Sequence, residues 1–172
     1  MFSNNVFSDG DGCVADFDTG FETRFGVEAK GLKVEVWQQM IADTQGQFFE
    51  ELPLMPNWEY YWGSILPYKP RILTGCPRIG YDLAADAKVA YYMKHLGPSY
   101  REMHGEDLKV ITCLSKEKPL HMTAPGDVLI DDMIYNLKAW EKAGGRTVRF
   151  KTAKQAVYFF NKVIVDEPIK AA

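Results

Sequence analysis

The stretch VFSDGDGCVADFD, residues 6–18, sets an apolar opening against four carboxylates, Asp9, Asp11, Asp16 and Asp18, with Gly10 and Gly12 closely spaced among them. An EF-hand calcium loop needs oxygen ligands at its positions 1, 3 and 5, glycine at 6 and glutamate at 12. Counted from Asp9, those last three positions hold Cys13, Val14 and Gly20, so the calcium loop fails. A solvated acidic turn is the plain alternative. Against it stand the apolar run before the acids and the apolar CVADF after them, which together predict that the acids are held close to a sheet. The remaining reading is a shared site for Asp9 and Asp11.

Working outward, NVFSD (5–9) is the first of several short β-prone segments that end in polar or glycine-containing turns. RILTG (71–75), KVITC (109–113), DVLIDD (127–132) and RTVRF (146–150) follow. Between them lie helix-like stretches at 81–97, with a glycine stop, and at 133–145, where Ile134, Leu137, Ala139, Trp140 and Ala143 make a buried face. Alternating strands and helices imply a largely parallel sheet covered on both sides. Ligands of such sheets bind beyond the carboxyl ends of the strands. Asp9, Thr74 and the Asp131-Asp132 pair all fall there.

That convergence makes an electrostatic demand. Two carboxylates about 4 Å apart repel by roughly 1 kcal/mol in water and about 4 kcal/mol at an effective dielectric near 20. A cluster of four requires a cation or strongly raised pKa values. With oxygen ligands alone, and no histidines or thiolates at ligand spacing, a hard ion is favoured, Mg2+ before others.

The totals narrow the function classes. The 172 residues are 47% apolar and 25% charged, enough for one sizeable core. A net charge of −3 and a pI near 5.6 show no basic excess, which argues against a duplex-binding surface. The three cysteines, Cys13, Cys76 and Cys113, lack CxxC spacing, so neither a disulfide framework nor a zinc site is suggested. No basic segment followed by an apolar run opens the chain, and no stretch reaches the roughly 20 apolar residues of a membrane span. A cytoplasmic protein is expected.

The segment 21–70 breaks the rhythm, with helical pieces around 32–43 and 57–66 and an aromatic-rich run, FFEELPLMPNWEYYWGSILPY (48–68). It is expected to form a small helical cap inserted after the first strand, excluding water from chemistry beneath it. The core is then 1–20 and 71–172. TAKQAVYFFNKVI (152–164) reads as a closing helix and VDEPIKAA (165–172) as a frayed tail.

DGDG after a first strand, ILTG after a second, a lysine before the fourth and DVLIDD at the fourth together resemble the haloacid dehalogenase superfamily of phosphotransferases. More narrowly, SDGDGCVADFD, FFEELPLMP, ILTGCP and LIDDMIYNLKAWEKAGG are similar to the 5′(3′)-deoxyribonucleotidase branch with its bacterial and phage relatives. The resemblance implies a three-layer Rossmann-like α/β core and a Mg2+-dependent phosphomonoesterase acting through an aspartyl-phosphate. By that resemblance Asp9 is the nucleophile and a metal ligand. Asp11 is the acid and base of the two half-reactions, with its backbone carbonyl in the metal shell. Thr74 and the Gly75 amide bind the phosphoryl group. Lys118 offsets its charge, with Lys116 as the alternative. Asp131 and Asp132 complete the metal site, with Asp132 favoured as the direct ligand. Phe48, Phe49 and Trp58 are expected to stack a nucleobase, against the plain alternative that such aromatics fill the insertion's own core. Asp16 and Asp18 receive no catalytic role. Gly10 and Cys13 depart from the usual pattern without removing a catalytic group.

Rivals follow from other features. GCPRIGYD invites a cysteine-based phosphatase, but the residue six after Cys76 is Asp82 rather than arginine. A catalytically silent binding module is the second rival, and a phosphatase acting on sugar phosphates or 3′-phosphate ends is the third. His95, His104 and His121 are expected in surface or core roles. The expected partner is a small phosphorylated substrate, a nucleoside monophosphate, with no duplex nucleic acid and no membrane. A homodimer is left open.

Overall fold

The central strands are short apolar runs that give way to polar or glycine residues at their carboxyl ends. In the computed structural model, which describes residues 4–165, β1 (Val6–Ser8) is wholly buried. Two helices follow, α1 (Phe17–Phe25) and α2 (Val34–Ala42). After them come a single turn, α3 (Gln47–Glu50), and α4 (Trp58–Ile65). The chain then returns to the sheet in β2 (Arg71–Gly75), followed by α5 (Tyr81–His95) and α6 (Gly97–His104). β3 (Val110–Cys113) leads through a 3-10 helix, Ser115–His121, to β4 (Val128–Asp131). The chain closes with α7 (Ile134–Lys142), β5 (Arg146–Arg149) and α8 (Ala153–Val165). The sheet is parallel throughout, in the order β3-β2-β1-β4-β5.

Period-two alternation sorts the core into two layers. Phe7, Leu73 and Leu129 pack on one face against Leu137 and Trp140 of α7. Val6, Ile72, Val128, Ile130 and Val148 face the other way, into a larger cluster with Tyr61 and Ile65 of α4, Tyr92 of α5 and Phe160 of α8. The expected α/β architecture, a Rossmann-like parallel sheet between helical layers, is what the chain adopts.

The insertion is tied to the first loop by a short antiparallel stem. Ala15 pairs with Leu54, Met55 N donates to Val14 O at 2.8 Å, and Asp16 N donates to Pro53 O at 2.8 Å. Asp16 caps α1 by accepting from Thr19 N, while Asp18 lies exposed in its first turn. The stretch expected as a cap helix at 57–66 is present as α4, but it sits in the core layer against α8. Its Tyr61 ring meets Phe150 edge-on at 5.0 Å, and Trp62 Nε1 bonds Ser99 Oγ at 3.0 Å.

Two further features were not expected from the sequence. The helix expected to stop at Gly97 ends earlier, at His95, and Gly97 is instead the first residue of α6, with Pro98 beside it in the first turn, where the missing N–H of proline has no partner to lose. The 3-10 helix at 115–121 was also unforeseen. The tail expected to fray lies outside the described residues beyond Val165. Among the described residues, no helix is long and apolar enough to cross a membrane.

Candidate active site

Strand register brings the two acidic stretches together. Ser8 pairs with Ile130, and Asp9 N continues the ladder by donating to Ile130 O at 2.7 Å, so Asp9 emerges beside Asp131. Thr74, one position before the end of β2, is on the same carboxyl edge. The alternation that sorts the core also divides the site. Asp131 shares the parity of Leu129 and meets groups from the α7 side. Thr74 shares that of Ile72 and meets a group from α5.

On the α7 side, Lys118 rises from the 3-10 helix, is 1% exposed, and lies 2.9 Å from Asp9 Oδ1 and 2.6 Å from Asp131 Oδ2. Lys116, the alternative, is exposed. Asp131 is densely engaged: Met133 N donates to Oδ1 at 2.8 Å, and Asn136 Nδ2 reaches both oxygens at 3.2 and 3.0 Å. The Asn136 Oδ1 is buried without a partner among the described residues. Asp9 Oδ1 also accepts from Gly10 N at 2.7 Å, which leaves Oδ2 as the oxygen these contacts do not use. Asp132 leans over Gly12: a Cβ at that glycine would stand 2.5 Å from the Asp132 Cγ.

Asp9, Asp131 and Asp132 each offer an oxygen, all within 4.8 Å of one another. Burial, with Asp131 adding repulsion, raises the Asp9 pKa well above the carboxylate range, and Lys118 opposes this only in part. Burial and Asp131 push Asp132 up to about 7. Burial acts to lower the pKa of Lys118, but Asp9 and Asp131 outweigh it and hold the ammonium charged. One cation thus faces three carboxylates. The all-oxygen set and the uncompensated charge fit a hard divalent ion. Asp11 stands outside this carboxylate group, so its backbone carbonyl is what it could offer such an ion.

On the α5 side lies a second buried lysine that the sequence reading missed. Lys88, 1% exposed, donates to Asp11 Oδ2 at 2.5 Å, Gly75 O at 2.7 Å and Thr74 Oγ1 at 3.2 Å. One turn further along α5, the Tyr92 hydroxyl donates to Asp11 Oδ1 at 2.9 Å. The signal was present in YDLAADAKVAYYMKHLG: Ala84, Lys88 and Tyr92 share one stripe, which sets a lysine in the middle of a buried face. Asn136, five residues after Asp131, carried no comparable signal.

The expected base-stacking aromatics are corrected in part. Phe48 is 2% exposed and packs against Phe17, Phe21 and Phe25 inside the insertion's own core. Phe49 is 1% exposed, with its ring 4.5 Å from the Lys88 ammonium. Neither presents an open face to a base, because the four-residue spacing of Phe17, Phe21 and Phe25 lines them up along one face of α1, and α3 docks Phe48 onto that face. Trp58 is half-buried at the start of α4. Cys13, Cys76 and Cys113 are buried free thiols, and burial raises each of them, Cys76 to about 11 and Cys113 to about 12. None is a poised nucleophile.

No family model and no curated protein matches the chain. Among solved structures it is similar to a hydrolase from Streptococcus pneumoniae TIGR4, at TM-score 0.50 and 12% identity, over 94% of this chain and 100% of that one. It also aligns with a putative haloacid dehalogenase-like hydrolase from Burkholderia xenovorans LB400, at TM-score 0.48 and 16% identity, over 96% and 90% of the two chains. The likeness to the first is one of fold.

Proposed function

We propose that the chain is a Mg2+-dependent phosphomonoesterase of the haloacid dehalogenase type that hydrolyses nucleoside monophosphates through an aspartyl-phosphate. The observation that carries this reading is the buried Asp9–Lys118–Asp131 arrangement at the carboxyl edge of the sheet, with Asp11 two residues beyond Asp9 and fixed on its own partners. A buried carboxylate with one oxygen held and one unengaged suits nucleophilic attack once its charge is screened.

Asp9, Asp132, the Asp11 carbonyl and, through a water, Asp131 would hold the ion, because Asp131 already accepts from three protein donors. The ion would supply charge neutralisation at the phosphoryl oxygens and at Asp9. In the first half-reaction Asp9 bonds phosphorus, the bond from phosphorus to the ester oxygen breaks, and the leaving alkoxide takes a proton that Asp11 carries into the step on a lone pair not used by Lys88 or Tyr92. In the second, Asp11 takes a proton from the water that attacks phosphorus and frees Asp9. Thr74, whose hydroxyl accepts from Lys88, keeps its own proton for a phosphoryl oxygen. Lys118 offsets the charge on the transferring group.

The burial of Phe48 and Phe49 favours a second substrate reading, a smaller phosphate ester, because Trp58 alone of the three expected aromatics remains partly open. A phosphate-release panel of nucleotides and sugar phosphates, with and without Mg2+, separates the two. Release confined to nucleotides supports the first. Undiminished release by Asp9→Asn would overturn the mechanism for either substrate.

A further inference from the structure

We propose that Lys88 is a positioning residue for Asp11, and that Phe49 completes its setting, so that the insertion and the acid/base group of the core are mechanically coupled. The inference rests on the phosphomonoesterase reading above. A lysine ammonium has three protons, and all three are used here, on Asp11 Oδ2, Gly75 O and Thr74 Oγ1. The Phe49 ring from α3 lies 4.5 Å from the same nitrogen. Phe49 thereby brings the insertion onto an ammonium whose three hydrogen-bond partners all lie in the core.

The second half of the clamp comes from the same helix face. Tyr92 donates to the other oxygen of Asp11, and the loop is packed onto it so closely that a Cβ at Gly10 would stand 2.1 Å from the Tyr92 hydroxyl. Both carboxylate oxygens of Asp11 are therefore fixed from one turn of α5, which sets the plane of the group that must meet the leaving oxygen. Positioning of this kind matters because an ångström of misplacement at a reacting group costs orders of magnitude in rate. A purely structural buried ion pair is the competing account, and such pairs contribute little net stability.

Leaving-group dependence distinguishes the accounts. p-Nitrophenyl phosphate departs as a weak base and needs little protonation, whereas an alkyl phosphate such as a nucleoside monophosphate or glycerol phosphate needs the proton from Asp11. The measurement is kcat/KM, which reports the phosphorylation half-reaction, on both ester types for the wild type, Lys88→Met and Phe49→Leu. Lys88→Met is expected to lose roughly 100-fold more on the alkyl ester than on the aryl ester, the low end of acid catalysis. Phe49→Leu, which leaves every hydrogen bond of Lys88 in place, is expected to shift the same ratio by about threefold to tenfold. Equal losses on both esters in Lys88→Met would overturn the positioning role and make Lys88 a phosphoryl-binding or structural group. If Lys88→Met does not fold, Lys88→Gln, which removes the charge and shortens the reach to Asp11, carries the same comparison, and an unchanged ester ratio there overturns the role. An unchanged ratio in Phe49→Leu overturns the coupling to the insertion. A wild type lacking Asp9-dependent release of phosphate from either ester sinks the phosphomonoesterase reading itself, and this inference with it.

Discussion

At Gly12 the backbone runs through the left-handed region, at φ +77°, and the space where a side chain would start is filled by the Asp132 carboxylate. Alanine there is strained twice, by its own conformation and by contact with that carboxylate. Gly12→Ala is expected to displace Asp132 and weaken Mg2+ activation by at least about tenfold, read from an activity titration against the free ion. Lys118 is a different case, because its removal leaves charge behind. Lys118→Met strands Asp9 and Asp131 in a buried setting without their shared cation, which costs on the order of 3–5 kcal/mol. Denaturant unfolding of the metal-free protein should show that loss at pH 8. A loss under about 1 kcal/mol would mean that Asp9 is already protonated there.

Elements are held to one another by less visible residues, and Asp127 is the plainest. It is fully buried at the start of β4 and accepts from Asn5 N, Thr123 N, Thr123 Oγ1 and Ala124 N. Burial acts to raise its pKa, but these hydrogen bonds outweigh that and lower it. Asp127→Ala removes the acceptor from four part-buried donors at once and is expected to destabilise by about 2–4 kcal/mol, with kcat per folded molecule unchanged. Chemical denaturation beside an active-fraction assay checks both halves.

The strands were legible in the sequence because each is a short apolar run with a polar end, and periodicity needs no partner to be seen. β1, β2, β3, β4 and β5 all fall inside their expected segments. The acids Asp9, Asp131 and Asp132 were legible for the same reason, since a strand end is a place that sequence can name. Lys88 was not, because a lysine on an apolar stripe reads as a helix surface until the helix is docked and its partner Asp11 arrives from 77 residues away. Phe48 and Phe49 were misread for the converse reason: aromatic residues carry no mark that separates a ligand platform from a core. α6 was hidden because a Gly-Pro pair reads as the end of a helix, whereas here it opens the next one.

At the scale of the whole molecule, the raised carboxylates tie stability to pH and metal. A group whose folded pKa lies above its unfolded value binds a proton in the native state that the unfolded chain releases, so its favourable contribution is lost as pH rises through the folded value. Asp132, pushed up to about 7, makes the metal-free protein less stable between roughly pH 4 and 7 as pH increases, and Asp9 acts with the same sign. Asp127, lowered, acts with the opposite sign at acid pH. Mg2+ competes with the proton on Asp132, so its addition should raise Tm more at pH 8 than at pH 5.5. Thermal unfolding with Mg2+ and with EDTA at the two pH values measures this, and an equal shift at both would remove Asp132 from the ion's ligands.

The sheet order β3-β2-β1-β4-β5 has a consequence for synthesis on the ribosome. β1 is made first and sits at the centre, but one of its two neighbours, β4, is made only after residue 128. Until then one edge of β1 is open, and Asp9 has no Asp131 beside it. A nascent chain that has emerged through β3 is a half-sheet with a bare hydrogen-bonding edge, the kind of surface that pairs with other chains. Emergence of residues 129–131 both seals that edge and completes the acid cluster, so the interval between synthesis of β3 and synthesis of β4 is when the sheet is most exposed to aggregation.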